Sequence, residues 1–407
     1  MPTVAPTPGQ SKFLPNRAKS GTSLSFSGGG FRATLFHLGA ARRLNELGVL
    51  TALDTITSVS GGSFMAAFLA QAMVAVPPVA GQPMKNFDDL ARSIHQLTAY
   101  DLRRAILRRR LWPPKNWTQQ FAELVADEVD ERLSKAVLAN LPQHPRFVFC
   151  ATDLVFGVDW VFERARVGDW RLGYAKQASV LETFPIARGI AASSCFPPLF
   201  KPIDPGIPLD EYADGNATSL PEARKVQQVR LSDGGVYDNL GLEPVWKDHA
   251  TVIVSDGGAP FDYSTNDGLV PTLLRYTDVI ANQAHALRLR WLISAFTPNS
   301  AGTPAAMQGA YWGIGSCRAK YDRADTIGYS EPIARTLIAS IRTDLNAFSE
   351  GEQAILENHG YWMADVAIRV HLPALYAHAA PLRVPNPDWV DEQKVREALR
   401  NSAVRKL

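Results

Sequence analysis

The spacing of apolar positions changes character twice within the first 75 residues. Thr22 to Ser27 is a short β-prone run that stops at Gly28-Gly29-Gly30. Beyond it Phe36, Ala40, Leu44 and Leu47 recur at helical spacing, Arg42, Arg43, Asn45 and Glu46 fall on the other side, and Gly48 supplies a stop. This predicts an amphipathic helix. Thr55 to Val59 reads as a second buried strand, and Ser60-Gly61-Gly62 turns into an apolar helix from Ser63 to Val74. A strand, glycine turn and helix thus occur twice in succession. Two such units predict a parallel α/β sheet with its functional groups on the turns at the carboxyl ends of the strands.

From Lys85 to Leu141 the pattern is helical and highly charged, broken at Trp112-Pro113-Pro114, where a proline pair cannot continue a helix. This stretch is expected to be a helical insertion. Strand signals return at Arg146 to Ala151 and Val158 to Arg164, and an apolar helix from Ile186 to Ala192 ends against Phe196-Pro197-Pro198. A loop rich in Pro, Asp, Gly and Asn covers Lys201 to Ala223. Two further strands, Val229 to Ser232 and Ala250 to Ser255, both run into Asp-Gly-Gly. After Leu269 the pattern is mostly helical, with one strand-like interruption near Tyr311 and Trp312. The expected organisation is a flexible lead-in over 1–21, one α/β catalytic domain over 22–268 with its insertion at about 85–141, and a helical extension over 269–407 packed on that domain.

Composition narrows the classes. Of 407 residues, 46% are hydrophobic and 20% charged, enough apolar material for a buried core. Forty-two basic against forty acidic residues leave +2, so no global field favours nucleic acid. Cys150, Cys195 and Cys317 stand far apart, without zinc or disulfide spacing, and fit a reducing compartment. There is no secretory-type apolar run near Met1 and no uncharged stretch of about 18 apolar residues. The expectation is a cytoplasmic protein that meets a membrane, if at all, at its surface.

The candidate chemistry sits on the turns. A serine thrust out between strand and helix needs small residues two positions before and after it, so that backbones can approach. Ser60 has them in Ser58 and Gly62, whereas Ser58 and Ser63 do not. The Gly28-Gly29-Gly30-Phe31-Arg32-Ala33 loop can turn consecutive N–H groups toward an anion, either a phosphate or the oxyanion of an acyl intermediate. Gly28, Gly30 and Ala33 also fit G-x-G-x-x-A, but a dinucleotide site needs an acid closing the second strand, and Asp54 precedes that strand. No histidine is a persuasive base: His37 falls near the apolar stripe of the first helix, and His249, His285, His359, His371 and His378 lack a turn context. Asp233 and Asp256 both end strands before Gly-Gly, and burial could tune either to act on Ser60.

Taken in order, Gly28 to Ala33, Ser58-Val59-Ser60-Gly61-Gly62 and Asp233-Gly234-Gly235-Val236-Tyr237-Asp238-Asn239 resemble the signature of the patatin-like phospholipases. Ala151 to Leu154 and Ala192 to Pro197 are similar to the family's sheet strand and core helix. The resemblance covers about Ser23 to Gly258. It implies a three-layer fold with a mainly parallel central sheet, and a serine acyl hydrolase acting on lipid esters through a Ser/Asp dyad without histidine. Carried over by position, Ser60 is the nucleophile, Asp233 the base, and the N–H groups of Gly28, Gly29 and Gly30 the oxyanion hole, with Arg32 supporting the loop. Ser58 and Ala33 depart from the family, which usually has glycine at both places, and altered packing at the elbow is expected. No metal or other cofactor is implied, because the chain has no helix-borne His pair and no acidic calcium loop. Two other readings of the residues are a phosphate- or nucleotide-binding protein using Gly28 to Gly30, and a noncatalytic membrane-associated scaffold. Between Arg103 and Trp117, Arg104, Arg108, Arg109, Arg110 and Lys115 mix with Leu102, Ile106, Leu107, Leu111 and Trp112. That composition suits peripheral membrane contact, or else an ordinary helix with its arginines solvated or paired to Asp88, Asp89 or Asp101. Nothing in the sequence sets an oligomeric state.

Overall fold

The apolar run before the triple glycine is β1 (Thr22–Phe26), followed by α1 (Gly30–Glu46), β2 (Thr55–Val59) and α2 (Gly61–Ala75). These elements come from a computed structural model, which describes residues 19–111, 121–197, 201–216, 228–261, 268–297, 307–321, 325, 327–376 and 380–404. Most of the expected lead-in, the Trp112-to-Trp117 stretch, the end of the Lys201-to-Ala223 loop and His378 lie outside the described residues. The charged stretch forms α3 (Phe87–Ala99), α4 (Leu102–Leu111) and α5 (Phe121–Arg132). After it come β3 (Arg146–Asp153), β4 (Val158–Glu163), β5 (Arg166–Asp169), β6 (Gly173–Ala175), α6 (Ala178–Leu181), α7 (Ile186–Ser193) and β7 (Ala213–Asp214). The second half contributes β8 (Leu231–Asp233), α8 (Gly235–Asp238), β9 (Thr251–Asp256), α9 (Leu269–Phe296), β10 (Gln308–Gly313), α10 (Glu350–His371) and α11 (Glu392–Leu399).

One mixed sheet runs β10-β9-β1-β2-β3-β4-β5-β6-β7. Its first five strands are parallel, and from β3 onward each neighbour is antiparallel. The parallel part has both faces covered, as such sheets require. Leu24, Phe26, Ile56 and Ile253 belong to the large core formed with α1, α2 and α10, whereas Val252 and Val254 pack against Leu240, Leu242 and Leu292 of α9. The result is the expected three-layer arrangement. β10 is the strand-like interruption near Tyr311, and it extends the sheet beside β9.

The register of β3 matters most for function. β2 pairs with residues 146–150 of β3, and β8 continues along the same edge as an antiparallel partner of residues 151–153. β2 and β8 therefore meet end to end. Val59 lies opposite Cys150 and Asp233 opposite Ala151, so the residue after Val59, which is Ser60, arrives level with Asp233.

α1 departs from the expected amphipathic helix with a solvated side. It is buried on nearly every face, Arg43 and Asn45 included, because α10 lies against it. A Cβ on Gly39 would stand 1.8 Å from the carbonyl of Glu357, and one on Gly360 would stand 1.9 Å from that of Phe36. The two backbones pack almost in contact. The arginines of α1 pair with carboxylates of α10: Arg43 Nε lies 2.8 Å from Asp365, and Arg42 Nε lies 2.8 Å from Glu357. In α4, Leu102 and Ile106 are buried, and Arg103 pairs with Asp344 at 2.7 Å, Arg104 with Asp101 at 3.3 Å and Arg109 with Glu128 at 2.5 Å. Three of the arginines expected at a membrane are thus tied to carboxylates of the chain itself.

Candidate active site

Ser60 stands alone between β2 and α2 with φ 49° and ψ −117°, a strained conformation for a residue with a side chain. The close approach expected at this turn is real: a Cβ on Gly62 would lie 2.4 Å from the carbonyl oxygen of Phe26. Ser58, which replaces glycine two positions before, is accommodated by hydroxyl bonding. Its Oγ donates to the carbonyl of Val148 at 3.4 Å and accepts from Ser63 Oγ at 3.2 Å. Ser193, at the end of α7, holds the elbow from the other side. Its Oγ accepts from the Ser60 N–H at 2.9 Å and donates to the Cys150 carbonyl at 2.7 Å. Nothing in the sequence marked Ser193 for this role beyond its place in the core helix.

The end-to-end meeting of β2 and β8 brings Ser60 beside the buried carboxyl group of Asp233, and both face the same cleft. That carboxyl also accepts from the Gly235 N–H at 2.7 Å, and the Asp233 backbone is fixed by the Cys195 carbonyl and by Thr152 Oγ1. Burial pushes its pKa up to about 7 against the opposing pull of the Gly235 N–H and the Ser60 hydroxyl. A hydroxyl beside a carboxyl of this kind can transfer a proton near neutral pH.

Asp256 ends β9 in a different net. Its carboxylate accepts from Tyr311 Oη at 2.8 Å and the Gly258 N–H at 2.9 Å, and pairs with His285 Nε2 at 3.3 Å. Burial alone would raise its pKa, but the bond and charge of His285, with the Gly258 and Tyr311 donors, hold it well below the usual carboxylate range. An anion so fully occupied is a poor proton acceptor. The structure thus gives different surroundings to the two Asp-Gly-Gly acids, which local pattern left open and the resemblance ranked. His285 had been set aside for want of a turn context, yet it reaches the cleft from the middle of a helix.

The glycine loop faces Ser60, with a correction to the expected donor set. The Gly28 N–H is already bonded to the Asn239 carbonyl at 3.2 Å, and the Phe31 N–H to Asp344 at 3.1 Å. Gly29 and Gly30 line the cleft, and among the described residues no acceptor meets their N–H groups. Arg32 is buried and points elsewhere. Its guanidinium donates to the carbonyls of Gly257, Ala339 and Ile341 (2.7, 3.1 and 2.8 Å), tying the loop to the chain after β9. His37 is wholly buried, bonded to Ser255 Oγ and the Ser27 carbonyl, and burial lowers its pKa to about 4.

Ser60, Asp233, Gly29 and Gly30 open into a cleft of about 670 Å³, a size suited to an organic ligand. Ile106, Leu107, Phe196, Phe261 and Leu345 give it apolar walls, and Asn239, Asn282 and His285 a polar one. Among the described residues no three His, Cys, Asp or Glu side chains cluster to hold a metal ion.

Comparison with known proteins bears on the family and the fold. The model of the Patatin family, described as patatin-like phospholipase, matches residues 24–246, more than half of the chain. No curated protein matches it. Human GIVD cytosolic phospholipase A2 aligns at 13% identity with a TM-score of 0.54, over 94% of this chain but only 60% of that one. The same human protein in complex with methyl gamma-linolenyl fluorophosphonate aligns at 14% identity and a TM-score of 0.49, over 88% and 58% of the two chains. VipD from Legionella pneumophila aligns at 13% identity and a TM-score of 0.32, over 87% and 67%. The family match spans both the turn that carries Ser60 and the strand that ends in Asp233, and this chain belongs to the patatin-like phospholipase family.

Proposed function

We propose that the protein is a serine acyl hydrolase that cleaves carboxylic esters of lipids. The observation that carries this reading is Ser60, held on a strained turn level with the buried carboxyl group of Asp233 in one cleft, burial raising that group's pKa to about 7. In the mechanism, Asp233 takes the proton of Ser60 as the hydroxyl oxygen attacks the ester carbonyl. Negative charge then develops on the carbonyl oxygen, and the N–H groups of Gly29 and Gly30 bind it. Collapse of the tetrahedral intermediate expels the alcohol, which takes the proton from Asp233. Water attacks the acyl-enzyme with Asp233 again as base, and the fatty acid leaves with Ser60 restored.

A base with a pKa near 7 is half available at neutral pH and still basic enough to accept a hydroxyl proton in the transition state. The apolar walls from Ile106 to Leu345 suit an acyl chain. A test is fatty-acid release from diacylphospholipid, lysophospholipid and acylglycerol by wild type and Ser60→Ala. Release from at least one class by the wild type and none by the variant is expected. Equal release by both proteins overturns the proposal.

A further inference from the structure

α9 is amphipathic the wrong way round for a helix of a water-soluble protein. Its polar face points inward, where Asn282 and His285 line the cleft, His285 pairs with Asp256, and Arg288 Nε lies 3.4 Å from Asp238. Its outer face carries an apolar stripe, interrupted by the uncharged Gln283 and Ser294. Ile280 is 69% exposed, Tyr276 62%, Leu287 59% and Trp291 39%, and at about 100° per residue these four fall within roughly 60° of one another, opposite His285.

This orientation is fixed by the fold. Asp238 and Asp256 are buried carboxylates, and rotating α9 to hide its apolar stripe would strip both of their cationic partners. Breaking a buried ion pair by removing one partner is strongly destabilising, so the stripe stays outside. Charge on the outer side of the helix favours an anionic partner: from Val279 to Phe296 there is no carboxylate, and while Arg288 turns inward to Asp238, Arg290 faces out. Arg290 is exposed beside the stripe, and α4, the other helix lining the cleft, exposes Leu107 and Arg108.

We propose that the outer face of α9 docks on an anionic lipid surface, with Tyr276, Ile280, Leu287 and Trp291 entering the headgroup boundary and Arg290 and Arg108 meeting lipid charge. The inference rests on the lipid reading above for its link between surface and cleft: substrate would pass from the bilayer between α4 and α9 to Ser60. Its test does not depend on turnover. The full chain is mixed with vesicles of ether-linked phosphatidylglycerol and phosphatidylcholine, which offer no ester to cleave. Ile280→Ser/Leu287→Ser should bind at least about tenfold more weakly than wild type, with hydrolysis of a soluble short-chain ester unchanged within about twofold. Equal vesicle binding by both proteins overturns the proposal. A second readout needs no loss of binding. An environment-sensitive dye on Ile280→Cys should shift to the blue with vesicles. The same dye on Val79→Cys, beyond the far end of α2, should not. The three native cysteines are buried and will not compete for label. A blue shift at position 280 that follows protein concentration without lipid would make the occupant a second copy and overturn the proposal. If no ester is cleaved by any form, the hydrolase reading falls while the vesicle result still decides this one.

Discussion

At the scale of single residues, the burial that would suit Asp233 to act as a base costs stability. Ionising its carboxyl group is harder in the folded protein than in the unfolded chain, because burial raises the pKa from 3.8 to about 7. The sign follows from linkage. A raised folded-state pKa means the contribution to stability is fully present below about pH 4 and is lost as pH rises through about 7. Asp233→Asn should therefore raise the melting temperature at pH 8, by on the order of 2 to 4 kcal/mol in stability, and the gain should vanish below about pH 4. The same variant should lose at least about 10² in hydrolysis rate, so thermal melts and steady-state kinetics on one protein test both halves. Asp256→Asn should do the reverse. It weakens the ties to Tyr311, Gly258 and His285 and lowers the melting temperature while costing far less rate. The wild-type profile of kcat/KM for a soluble ester should fall about tenfold per pH unit below pH 6, as Asp233 becomes protonated. A profile flat between pH 5 and 8 would remove Asp233 as the base.

At the scale of elements, both strand-turn-helix units were legible because each pairs a short β-prone run with a glycine break and an apolar period. Ser60 and the glycine loop could be singled out for the same reason. β8 was harder to place: it has three residues, and no local pattern shows that it runs antiparallel and shares an edge of β3 with β2. Local pattern therefore left Asp233 beside Asp256, the family resemblance chose Asp233, and the pairing register shows which of the two lies level with Ser60. α10 was harder still. It buries Glu352, Glu357, Asn358, His359 and Asp365, and a helix that hides so many polar groups reads as solvated until their partners on other elements are known. The Gly28 N–H was assigned to the oxyanion because a glycine run predicts a nest without showing which of its donors is already bonded. The contact between α1 and α10 gives its own prediction. Gly360→Ala puts a methyl group against the Phe36 carbonyl and should destabilise the fold by about 1–3 kcal/mol. Denaturant titration measures this, and an unchanged midpoint would mean the helices are further apart than described.

At the scale of the whole molecule, α10 joins the region beyond Leu269 to the core of the α/β domain expected over 22–268. A chain ending at 268 would expose the face of α1 now covered by α10 and leave Arg43 without Asp365. It should be insoluble or lack a cooperative thermal transition, and a soluble fragment that melts cooperatively would show the two regions to be independent. The most direct measurement on the central claim is covalent. Wild type treated with an alkyl fluorophosphonate and digested for mass spectrometry should carry one adduct, on the peptide containing Ser60. Ser60→Ala should carry none, and Asp233→Asn should label at least about 100-fold more slowly. An adduct on another residue, or labelling of Ser60→Ala at the wild-type rate, would contradict the account.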